Sequence, residues 1–102
     1  MKEYDLFLPL YYNDGTPVEP AKFQAVQQAL LKQFRGLTFF PQPNQGFWQH
    51  GQVLYRDEIV IYRVLASKSR SARRFLSTLK EQLKKQFRQE EILIVERDDD
   101  TL

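Results

Sequence analysis

Val53 to Ala66 reads VLYRDEIVIYRVLA, and this stretch decides the fold. Ile59, Ile61 and Leu65 alternate with Val60, Tyr62 and Val64, so an extended chain here is apolar on both faces. A strand of that kind belongs inside a sheet, covered by helices on one side and by something else on the other. Upstream, Phe47-Trp48-Gln49 reads as a partner strand and His50-Gly51 as the reversal between the two.

Working outward, Tyr4 to Tyr12 (YDLFLPLYY) predicts a first strand with Leu6, Leu8 and Leu10 on one face and Phe7 and Tyr11 on the other. Pro9 cannot donate to a ladder and is expected near the strand end or at a bulge. Asn13-Asp14-Gly15 supplies a turn, and Glu19-Pro20 opens a helix with Phe23, Val26, Leu30 and Phe34 on one stripe. Gly36 is expected to close that helix in the left-handed conformation. Leu37 to Phe40 is a short apolar run, and Pro41 to Gly46 reads as a loop. After the long strand, a second helix carries Ala72, Phe75, Leu76, Leu79, Leu83 and Phe87 inward, and Ile92 to Val95 is the last strand. The order βαββαβ, with right-handed crossovers, predicts an α+β ferredoxin-like domain: a four-stranded antiparallel sheet with two helices on one face. Residues 1–97 make this single domain and 98–102 an acidic C-terminal tail.

Composition narrows the chemistry. At 102 residues the chain can bury a core without staples, and it has no cysteine and one histidine, His50. Neither a thiol nor a transition-metal centre is expected, and no organic cofactor motif is present. No apolar run reaches signal or membrane length, which predicts a cytoplasmic protein without a membrane partner.

Several points resemble an uncharacterised family of small bacterial domains: Gly36-Leu37-Thr38 after the first helix, Gly46 and Trp48 in the hairpin, and Phe87, Gln89 and Glu90 entering the last strand. The resemblance spans the chain from about Phe23 onward, with Arg56-Asp57 matching the family's Arg-acid pair only after a one-residue shift. It implies a ferredoxin-like fold and carries no established activity.

The charge is strongly polarised. Lys68 to Arg88 holds eight bases and one acid, whereas the remaining residues sum to −5 within a net charge of +2. Arg70, Arg73, Arg74, Lys84, Lys85 and Arg88 fall opposite Leu79 on the helical wheel and are candidates for binding a polyanion, nucleic acid or acidic protein. The alternative is a solvated face balanced by acids elsewhere in the fold, Glu90 or Glu91 and the Asp98 to Asp100 tail among them. The apolar stripe of this helix is needed for the core, which argues against membrane insertion.

Two further constellations could carry function. Phe7 and Tyr62 on an open sheet face would suit base stacking, but the glycine-aromatic signature of RNA-recognition domains is absent, so self-association into a homo-oligomer is the favoured use of that face. Trp48, His50, Tyr55 and Tyr62 could line a pocket, and a pocket between sheet and helices would make the protein a cofactor-free enzyme of the oxygenase or isomerase kind. No acid is placed by spacing to work with His50, and Trp48 and His50 have quiet roles as core cover and turn residue. The sequence therefore favours a binding domain over an enzyme and names no catalytic residue.

Overall fold

The computed structural model describes residues 1–67, 69–98 and 100, and for Trp48, His50 and Ser69 the backbone alone. Its elements are β1 (Lys2–Pro9), α1 (Pro20–Phe34), β2 (Thr38–His50), β3 (Val53–Ala66), α2 (Ser69–Gln86) and β4 (Leu93–Asp98). The strands lie in the order β2-β3-β1-β4, every neighbouring pair antiparallel, which is the ferredoxin-like arrangement. β1 is central because its even-numbered residues are apolar and fully covered: Tyr4, Leu6 and Leu8 are buried beside Val64, Tyr62 and Val60 of β3.

Both helices close over that face. Val26 and Leu30 of α1 and Ala72, Leu76, Leu79 and Leu83 of α2 join the same core with Phe87 and Ile92, and Phe23, Phe34 and Phe75 pack at its margin. Two edge-to-face ring pairs join the helices, Phe34 with Phe75 at 5.7 Å and Phe23 with Phe87 at 5.4 Å between centroids.

Four details depart from the sequence expectation. Arg35, not Gly36, takes the left-handed conformation after α1 (φ 65°), its N–H bonding the Leu31 carbonyl. Arg88 does the same after α2 (φ 53°), where Gln89 N–H reaches the Lys84 carbonyl at 2.9 Å in a Schellman closure. The expected Pro41–Gly46 loop is strand: β2 runs through it with a register shift between Phe40 and Asn44. β2 is an edge strand, so Pro41 and Pro43 sit at an irregularity where missing donors are tolerated. Finally, β1 begins earlier and β4 ends later than expected, since Lys2 pairs with both Ala66 and Asp98. Asp98 thus lies in the sheet, with its carboxylate against the Lys2 ammonium, while Asp99, Thr101 and Leu102 of the expected tail are outside the described residues.

The loop from Leu10 to Glu19 is pinned to the end of α2. The Lys22 ammonium donates to the Gln86 carbonyl at 2.7 Å and to the Tyr12 hydroxyl, and Arg88 lies over the Tyr12 ring at 4.6 Å. A cation from α1 therefore satisfies an α2 carbonyl that the helix itself leaves open.

Leu83 is fully buried between α2 and the sheet. Leu83→Ala should lower unfolding free energy by about 2 to 5 kcal/mol, read from a denaturant midpoint at unchanged slope. A loss below about 0.5 kcal/mol, the surface-substitution range, would refute this packing.

Candidate functional site

The sheet face away from the helices is built from odd-numbered positions. β1 contributes Glu3, Asp5, Phe7 and Pro9; β3 contributes Leu65, Arg63, Ile61 and Ile59 in register with them; β4 adds Arg97, Val95 and Leu93. Phe40 of β2 stands opposite Ile61. Phe7, Ile61, Phe40 and Leu93 therefore form an apolar row across all four strands, with no helix over it. Phe7 is on this face as expected, whereas Tyr62 is not: it lies on the helix side, 0% exposed, with Gln27 donating to its hydroxyl at 3.1 Å and Phe39 stacked on its ring at 4.7 Å.

The surface continues onto an arm. β1 pairs with β3 only from Ile59 to Ala66, so residues 53–57 pair with 46–50 alone and project beyond the sheet. Val53, Leu54, Tyr55 and Phe47 are exposed there, Leu54 by 64% and Phe47 by 60%. A two-stranded hairpin with apolar side chains in water on both faces is a marginal structure without a partner.

Beside the apolar row sits a charged group that sequence reading passed over. Asp5 is 2% exposed and Glu3 7%, although both face away from the helices, because two arginines lie across them. Arg63 grips Asp5 through Nε (2.8 Å) and Nη2 (3.1 Å) and approaches Glu3 at 3.2 Å. Arg97 Nη1 donates to Glu3 at 2.9 Å and to Asp5 at 2.6 Å. Burial pushes the Asp5 carboxyl upward, but hydrogen bonds from Arg63 and Arg97 outweigh it and hold the group below its ordinary value. Arg63 also lies 5.0 Å from the Phe40 ring, joining the charged group to the apolar row. The signal was present in the sequence: Glu3, Asp5 and Phe7 at alternate positions share a face, and so do Ile61 and Arg63.

The six basic candidates, five on α2 and Arg88 just after it, divide into two sets. Arg73 forms a two-pronged pair with Glu96 of β4, Nε to Oε1 at 2.8 Å, and the Tyr4 hydroxyl donates to the same oxygen at 2.7 Å. Those bonds, Arg73 first and Tyr4 second, hold Glu96 at about 2, while burial and then the Glu96 bond push Tyr4 up to about 12. Lys84 pairs with Glu81 at 3.2 Å, and Arg88 is engaged with Tyr12. Arg70, Arg74 and Lys85 are exposed and make no ion pair among the described residues. As expected of the acids after the helix, Glu91 answers α2 by pairing with Lys80 at 3.0 Å.

Of the four pocket candidates, Tyr55 and Tyr62 can be placed, and they are not brought together. The side chains of Trp48 and His50 lie outside the described residues. Tyr55 is on the exposed arm and Tyr62 in the core, seven residues apart on one uninterrupted strand, hence on opposite faces and about 23 Å distant. A separate shallow cleft of about 220 Å³ lies where Gln33 and Phe34 of α1 meet Leu65, Ser67 and Ser71. Among the described residues no three His, Asp or Glu side chains gather in a way that could hold a metal ion, and no helix is long and apolar enough to cross a membrane.

No protein-family model matches the chain, and no curated protein does. Solved structures do. A point variant of CutA1 from Pyrococcus horikoshii OT3 superposes with a TM-score of 0.62 at 15% identity, covering 100% of this chain and 86% of the other. A phage SAM lyase in complex with S-methyl-5′-thioadenosine superposes with a TM-score of 0.66, also at 15% identity, over 95% of this chain and 80% of the other. At that identity the likeness establishes the ferredoxin-like fold alone.

Glu96 and Asp5 both bind protons more weakly in the folded state than in an unfolded chain. Their stabilising contribution is therefore complete above the unfolded carboxylate range of about 4 and is lost as pH falls below it, for Glu96 through about 2. Melting temperature should drop steeply over that window, and less steeply in Asp5→Asn/Glu96→Gln. Arg73→Ala should lower the melting temperature at neutral pH, while Arg74→Ala, on the same helix, should leave it nearly unchanged; equal effects would refute the division of the basic face.

Proposed function

We propose that this protein is a self-associating binding domain, a homo-oligomer joined through the open face of its sheet. One observation carries the reading: the apolar row Phe7, Ile61, Phe40 and Leu93 has no helix over it, Leu93 exposed and the other three half-buried, and the same face continues past Asp57 to the exposed Tyr55 and Val53 of the arm. Exposed apolar surface of this continuity marks an interface in a folded protein, and burying it releases roughly 25 cal/mol for each Å² removed from water. A second copy is the simplest occupant, because cyclic homo-oligomers are the commonest soluble assemblies.

Association through that face leaves α2, on the opposite side of the sheet, turned outward. Its open cations Arg70, Arg74 and Lys85 are then the contact surface for an acidic partner, protein or nucleic acid. Arg73, Lys84 and Arg88 contribute to the field there, but Arg73 and Lys84 are paired with Glu96 and Glu81, and Arg88 lies over the Tyr12 ring. The domain so described acts by binding, in the cytoplasm, with no cofactor.

Sedimentation across a micromolar concentration series should give a closed oligomer, and Ile61→Glu should return it to monomer without loss of helical signal. A wild-type monomer at every concentration would sink the self-association reading. Binding of labelled single-stranded nucleic acid should weaken with salt by roughly 0.7 log units per log unit of salt for each cation engaged. Arg70→Glu/Arg74→Glu/Lys85→Glu should abolish it, and an unaltered affinity in that variant would return the helix to a solvated face.

A further inference from the structure

We infer that Glu3, Asp5, Arg63 and Arg97 set the register in which a second copy docks on the open sheet face, an inference that rests on the self-association proposed above. An apolar row attracts any apolar surface at any offset, since burial of hydrocarbon has no direction. The row of Phe7, Ile61, Phe40 and Leu93 therefore drives association without choosing its geometry. The charged group next to it can choose, because a polar atom covered without a partner is penalised and a covered atom with a partner is not.

Three features of the group suit that role. Its charges sum to zero, so two copies of the face meet without net like-charge repulsion, as a surface docking on itself requires. The carboxylates are already satisfied from within the chain, so covering them strands no buried anion. Arg97, in contrast, spends Nη1 on both carboxylates, while its Nε and Nη2 have no acceptor among the described residues and its side chain is 48% exposed. An arginine carries five N–H donors, so whatever covers Arg97 must present an acceptor to those that remain. Only offsets that do so escape the penalty. Buried polar groups select one register and stoichiometry in this manner in helical assemblies, and the same physics applies between sheets.

The test is Glu3→Gln/Arg97→Met, which removes one charge of each sign and leaves the Asp5–Arg63 fork intact, compared by native mass spectrometry and sedimentation with wild type and with Ile61→Glu. Wild type is expected to give one stoichiometry. The double variant should still associate, because the apolar row is untouched, but should spread over several stoichiometries. Arg97→Lys, which keeps the charge and loses the planar fork, should weaken assembly at least threefold, and it carries the test if the double variant does not fold. If both variants give the wild-type stoichiometry with a dissociation constant within threefold, the register role is overturned while self-association stands. If wild type is monomeric, the self-association reading fails first and this inference with it.

Discussion

The structure depends on β1 being clamped from both sides. Eight residues, Lys2 to Pro9, bond to β3 along one edge and β4 along the other, and their alternation divides the protein in two. Even positions Tyr4, Leu6 and Leu8 anchor the core beneath both helices; odd positions Glu3, Asp5 and Phe7 define the opposite surface. A one-residue slip of this strand would turn two carboxylates into the core and three large apolar side chains out of it. The ion pairs of Asp5 with Arg63 and Arg97, and of Glu96 with Arg73, hold the same register by charge that the leucines hold by burial.

Much of this was legible in the chain. The two-sided apolarity of Ile59 to Val64 placed β3 inside a sheet, and the 3.6-residue stripes gave both helices and the core residues Val26, Leu30, Leu79, Leu83 and Phe87. Errors gathered where local chemistry was overruled by tertiary position. Pro41 and Pro43 punctuate a loop by composition, yet at a sheet edge they interrupt β2 without ending it. Gly36 looked like the helix terminator, but the left-handed residue is Arg35. Arg88 repeats the pattern at α2, its guanidinium held over Tyr12.

The site was less legible than the fold, for a physical reason. Periodicity reports which residues share a face and is silent on which cation reaches which anion across 23, 58 or 94 positions. Arg73 and Arg74 both fall within the broad basic arc of the helical wheel, but Arg73 has Glu96 within reach while Arg74 stays in solvent. Tyr62 was grouped with Tyr55 by kind of side chain, and strand parity sent the two to opposite faces. Glu3 and Asp5 carry no signal of their pairing in the sequence, because the arginines that cover them arrive from β3 and from β4.

The bonds of Tyr4 with Glu96 and of Arg97 with Glu3 join positions 92 and 94 residues apart. During synthesis the strand that becomes the centre of the sheet thus emerges long before one of its two neighbours exists, and Lys2 to Pro9 must wait with one edge unpaired until residue 98 clears the ribosome. Closure of so long a loop is entropically costly before any of its contacts reward it. The charged positions Glu3 and Asp5 keep that waiting segment from being a wholly apolar strand, the kind most prone to pair with other chains.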